Sequence, residues 1–240
     1  MRSYISFGEL EELGETIVRE YLRKTKRYNA LCVDIEGLVT EYLGLTVVYE
    51  NIAEDDPNKI AFLSNGKRPL WVSRNEERIQ VVFPKGTVVM DKVLLHENES
   101  SRRRFTLGHE GAHSVIAKQN PMQDVGCFHN EFDPERVYTI KEQKELMSFS
   151  ETQADRLSSV FLMPRFILRK VMKKYKCENG LPVYGWNVFA PEDKLKLRKM
   201  ADCMGVSFQA LVIRLKTLGL LMPRDLTVYL ENDLQLGGTK

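Results

Sequence analysis

At 240 residues, with 43% hydrophobic and 28% charged side chains, the chain can bury a sizeable core and is too apolar along its length to be globally disordered. Lys and Arg number 35 against 33 Asp and Glu, a formal net charge of +2. That balance argues against direct nucleic-acid binding as the main activity, whose usual footprint is a large basic excess. No window approaches eighteen consecutive apolar residues, so no membrane span is expected. The opening MRSYISFGELEELGE lacks the apolar centre of a secretory signal. Cys32, Cys127, Cys177 and Cys203 have no CxxC spacing and read as reduced thiols, which makes the cytoplasm the expected address.

In chain order, residues 8–28 carry Leu10, Leu13, Ile17, Val18 and Tyr21 at helical spacing, with acids leading and bases closing. A second helix is predicted over 34–43, stopped by Gly44. Five short stretches rich in β-branched and aromatic residues follow: 45–49, 60–63, 70–72, 79–83 and 87–90. Asn-Gly, Asp-Pro and Pro-Lys-Gly turns separate them, and the run reads as a small meandering sheet. Helices return over 102–118, 142–162, 165–174, 192–204 and 208–218, and ENDLQLGGTK reads as a loose tail. Strands gathered between helical blocks favour an α+β fold over alternating βαβ units.

Within RRRFTLGHEGAHSVI lies His109-Glu110-Gly111-Ala112-His113, the HExxH pattern. Residues four apart project from one helix face, so two imidazoles can reach a single Zn²⁺ at about 2.0–2.1 Å. Glu110 is placed to act as general base on a water molecule at such a site. Two of the chain's 4 histidines fall in these five residues, and Gly108 and Gly111 sit where glycine costs a helix about 1 kcal/mol each. Small residues there make sense if another segment packs close to the metal.

A hydrolytic metal needs a third protein ligand and an open position for water. The extended HExxHxxGxxH pattern is absent, because Ile116 and Gln119 occupy its last two fixed positions. Downstream, Glu151 and Asp155 share one face of an amphipathic helix whose apolar stripe is Ala154, Leu157 and Phe161. Glu151 can be the third ligand and Asp155 can accept the remaining N–H of a ligand histidine. Glu131 and Asp133 offer the same chemistry, and Ser148-x-x-Glu151 also fits a capping box. Two His and one carboxylate accept Zn²⁺ or another divalent ion such as Mn²⁺.

Arg102–Val115 followed by Glu151–Pro164 resembles the paired motifs "RFTxxHExxH" and "ExxADxxAxxLLMP" of the ImmA/IrrE family of bacterial metallopeptidases. Val33–Tyr49, Val88–Leu95 and Gly205–Leu221 are similar to that family's flanks. Two positions depart from its pattern: Gly111-Ala112 replaces leucine-glycine, and Ser158 stands where alanine is usual. The resemblance implies a zinc-dependent endopeptidase with a zincin-like active-site helix. Its ligands would be His109, His113 and Glu151, with Glu110 as general base. It also implies a protein substrate, a helix-turn-helix repressor of a mobile element or stress response. The alternative is a non-catalytic regulator that sequesters a repressor or antitoxin.

The expected organisation is an N-terminal helix (1–28), a metallopeptidase core (29–164), a C-terminal helical part packed on it (165–225) and a tail (226–240). The long stretch 120–149 is a candidate flap over the cleft. Tyr138, His129, Arg136 and Arg104 are candidate donors to an anionic intermediate. Cys127 and His129 form a weaker candidate for an extra metal-binding pair. Residues 201–218 mimic a helix-turn-helix, but Leu211, Val212, Ile213, Leu215 and Leu218 make its second helix apolar on most of its circumference, which favours packing over base reading.

Overall fold

The computed structural model describes residues 5–119, 127–130 and 149–232, which form two units dividing after Pro164. The first begins with α1 (Phe7–Lys24). The Ser6 hydroxyl accepts from the Glu9 amide at 3.2 Å, and the Glu9 carboxylate accepts from the Ser6 amide at 2.7 Å, satisfying two otherwise orphaned donors. The α1 stripe of Leu10, Val18, Tyr21 and Leu22 is buried. A short helix, α2 (Ile35–Gly37), continues as a π turn over Leu38–Tyr42, with the Leu43 amide reaching back to the Leu38 carbonyl at 3.0 Å.

The strands are β1 (Thr46–Glu50), β2 (Lys59–Leu63), β3 (Leu70–Arg74), β4 (Glu77–Val81) and β5 (Thr87–Asp91). A sixth, β6 (Cys127–Asn130), joins them from the stretch read as a flap. The mixed sheet and flanking helices match the expected α+β class, but the pairing is not a meander. β1 lies parallel to β5, β2 is antiparallel to both β5 and β6, and the order is β1-β5-β2-β6. β3 and β4 leave the sheet as a separate hairpin. Its inner side chains Leu70 and Val72 share an apolar cluster with Phe62, Phe83 and Val89, and burial of that face holds the hairpin against the main sheet.

The hairpin turn is Asn75-Glu76, with φ of 51° and 67°. Both residues are left-handed, as a two-residue turn matching the strand twist requires. Glutamate is poorly suited to that region. Glu76→Gly is expected to raise stability by about 0.5–1 kcal/mol, the relief of its Cβ strain less the added entropy of the unfolded chain. A urea midpoint shifted upward at unchanged slope would register it.

Two 3₁₀ turns (Lys92–Leu95 and Glu97–Glu99) lead into α3 (Ser100–Gln119), which carries the HExxH pattern, and α4 (Phe149–Leu162) closes the first unit. Ala154, Leu157, Val160 and Phe161 of α4 are fully buried. Against α1, a Cβ placed at Gly14 would lie 2.6 Å from Val160 Cγ1, so these two helices meet closely.

The second unit comprises α5 (Arg165–Lys174), β7 (Leu181–Tyr184), α6 (Pro191–Met204), α7 (Phe208–Thr217), β8 (Leu221–Arg224) and α8 (Leu226–Asn232). β7 and β8 pair in parallel. Both were missed in the sequence because each contains a proline, Pro182 and Pro223, which lowers the strand signal of so short a run. No helix among the described residues is long and apolar enough to cross a membrane.

Candidate metal centre

The local fold of α3 follows from its small residues. A Cβ at Gly108 would lie 2.8 Å from Ser158 Oγ on α4, and one at Gly111 would lie 3.0 Å from Val39 Cγ2 and 3.3 Å from Leu43 Cδ1. The Ser158 hydroxyl donates to the Phe105 carbonyl of α3 at 3.1 Å. Both departures from the usual motif therefore sit at contacts: Ser158 ties α4 to α3, and Gly111 admits the π turn. The helix accepts the propensity cost of two glycines because larger residues would push these elements apart.

That close packing brings three donors together. His109 Nε2 lies 2.8 Å from His113 Nε2 and 3.2 Å from Glu151 Oε2, and His113 Nε2 lies 3.3 Å from Glu151 Oε1. A tetrahedral ion with bonds of about 2.0–2.1 Å separates its ligands by about 3.3–3.4 Å. The triangle has that scale on two edges and is slightly tight on the third. Among the described residues, this is a group of His, Cys, Asp and Glu that can hold a metal ion.

Asp155, one turn beyond Glu151, places Oδ1 2.8 Å from His109 Nδ1. An ionised carboxylate only accepts, so the Nδ1 proton points to Asp155 and Nε2 is the atom left to offer a lone pair. Glu110 is fully buried, and no well-formed hydrogen bond reaches either of its oxygens among the described residues, although the nearby Leu63 backbone draws its carboxyl down. A buried carboxylate without a partner costs several kcal/mol unless something else meets it. The donor set and this orphaned carboxylate together fit a bound divalent cation with a reacting molecule next to it.

Charge at the site is tightly coupled. Burial pushes the Glu110 carboxyl up to about 8; the nearby His109 draws it down and Glu151 adds to the rise. Burial disfavours the His109 cation, but the hydrogen bonds to Asp155 and Glu151 outweigh it and push the ring up to about 10. His113 is lowered, first by burial, with His109 also opposing its charge. Burial would raise Glu151, yet the two imidazoles hold it down to about 2. His109 thus keeps its proton at neutral pH, and a metal ion taking Nε2 must displace it. Metal binding near pH 7 is expected to release the His109 proton together with that of the neutral Glu110 carboxyl, so affinity should rise with pH. Titration calorimetry in buffers of different ionisation enthalpy counts these protons, and a buffer-independent heat would contradict the assignment.

Other residues singled out in the sequence lie elsewhere. The Arg104 guanidinium donates to the Val33 carbonyl at 2.7 Å and approaches Cys32 Sγ at 3.1 Å, anchoring the segment that leads into α2. His129 and Cys127 belong to β6, in register with Ala61 and Leu63. Glu131, Asp133, Arg136, Tyr138 and Ser148 lie outside the described residues, as does the flap stretch apart from 127–130 and 149. Val39 and Leu43, the wall against the motif helix, had no signal in the sequence beyond lying in the helix predicted over 34–43, which does not name its neighbour.

A helix-borne His-Glu-x-x-His set, joined by a carboxylate from a second helix on an α+β frame, defines a metallopeptidase-like protein. The family model for the IrrE N-terminal-like domain, peptidase family M78, matches residues 40–216, and the chain belongs to this ImmA/IrrE family. No curated protein matches it.

Proposed function

We propose that the chain is a zinc-dependent endopeptidase of the cytoplasm, with Glu110 as its catalytic base. The observation that carries this reading is the buried Glu110 carboxylate, without a well-formed hydrogen bond among the described residues, next to the His109–His113–Glu151 triangle. His109, His113 and Glu151 would hold the cation, which when bound supplies polarisation of a peptide carbonyl and acidification of water. Glu110 then takes the proton of the attacking water and delivers it to the departing amine, so that one carboxyl serves both steps. Asp155 holds the His109 ring in the orientation that keeps Nε2 on the site. Burial of the whole group favours the neutral Glu110 carboxyl until a cation arrives, so this base becomes active only in the loaded site.

The substrate we propose is a helix-turn-helix repressor governing a mobile element or a stress response, whose cutting would release its genes. The test is co-expression of the chain with a helix-turn-helix repressor, followed by gel analysis of the partner. A shortened partner supports the peptidase. A partner that is bound yet intact points to sequestration and overturns it.

A further inference from the structure

The charge of the chain is unevenly divided. Residues 165–240 hold 14 Lys and Arg against 7 Asp and Glu, an excess of seven positive charges. Residues 1–164 hold 21 against 26, an excess of five negative charges. The whole-chain value of +2 averages two units of opposite sign, and the basic one carries the footprint that the total conceals.

The positive charge is also ordered in space. On α5, Ile167, Leu168, Val171 and Met172 are buried, while Arg165, Arg169, Lys170, Lys173, Lys174 and, just beyond the helix, Lys176 face outward. No acid interrupts residues 165–177. Arg165, Arg169 and Lys173 follow one another at four-residue spacing and form a row along the helix. Lys174 Nζ lies 3.8 Å from Cys203 Sγ, which brings the end of this row beside the last turn of α6, one turn past the exposed Lys199.

There α6 ends and α7 begins after three residues. Gly205 takes φ 64°, a left-handed conformation that costs glycine nothing, and the Val206 amide closes the helix on the Ala201 carbonyl at 3.0 Å. Ser207 then caps α7 by accepting from the Ala210 amide at 3.1 Å. Leu197, Met200, Ala201, Met204, Val206 and Leu211 around this turn are buried. The apolar residues that made α7 look unsuited to base reading are mostly accounted for: Leu211, Val212 and Leu215 face inward. Gln209, Ile213, Lys216 and Thr217 face outward at i, i+4, i+7 and i+8, a single face of two amide or hydroxyl groups, one cation and one apolar contact. Those are the groups that meet base edges, phosphates and a thymine methyl in a major groove.

We propose that the C-terminal unit is a duplex-DNA binding surface, with the α5 row and Lys199 on phosphates and the outer face of α7 in the major groove. An acidic polypeptide would satisfy the cations alone; the helix-turn-helix and the composition of its second helix favour DNA.

The test uses the full chain and a fluorescein-labelled random-sequence duplex of about 30 base pairs, followed by anisotropy across a salt series. Saturable binding is expected, weakening linearly in log salt. Lys173→Glu and Lys199→Glu should each weaken it about tenfold at low salt and flatten the salt slope by about one, while Lys67→Glu on the acidic unit leaves it unchanged. Gln209→Ala with Lys216→Ala should weaken it further, with the melting temperature retained. Absence of duplex binding at low salt would overturn the proposal. So would equal competition by polyglutamate, or binding that ignores the α7 pair.

Discussion

Glu110→Gln is expected to lower kcat/KM for peptide cleavage by about 10²–10⁴ while leaving metal content at one ion per chain. The amide keeps the shape of the side chain and loses only its basicity, so the comparison isolates proton transfer. No well-formed hydrogen bond reaches Glu110 among the described residues, and the Leu63 backbone that draws its carboxyl down can also face an amide, so the change costs little structural bonding. It also removes a buried ionisable group, and the melting temperature of the metal-free protein should hold or rise. A residue serving structure alone would give the reverse, lower stability with activity kept. Elemental analysis, a melting curve and a single-turnover assay on one preparation decide between them.

Removing the third donor has the other large effect. Glu151→Ala leaves two imidazoles, one of them lowered by burial, and metal affinity is expected to fall by more than about a hundredfold. Asp155→Asn should cost about 10–100-fold, because the ring keeps its place while losing the charge that fixes its tautomer. The ranking matters as much as the sizes. Equal losses would mean that Asp155 itself ligates, and stoichiometric metal retained in Glu151→Ala would transfer the role to another acid.

The candidate site was largely legible because its donors lie at helical spacings. His109 and His113 are four apart, as are Glu151 and Asp155, and period alone puts each pair on one face. The α4 stripe of Ala154, Leu157 and Phe161 was legible for the same reason, and all three are fully buried. Sheet order was not legible. Periodicity identifies Thr46–Glu50 and Thr87–Asp91 as strands, yet their parallel pairing spans some forty residues and depends on the β3–β4 hairpin folding out of the way. β6 was lost because its four residues carry no alternation of their own and gain strand geometry by pairing with β2. The π turn over Leu38–Tyr42 was read as ordinary helix, since one extra residue in a turn leaves the apolar stripe nearly intact. Net charge hides its own distribution: as a sum over the chain, it cancels an acidic first unit against a basic second one.

The donor triangle joins α3 to α4 across 38 residues of chain, from His113 to Glu151. A cation held there is a cross-link as well as a reagent. Closing a loop of that length constrains the unfolded chain by about 4 kcal/mol on the scale used for disulfides, a large part of the stability of an ordinary domain. Withdrawal of such an ion would then loosen the fold of the first unit as well as empty the site.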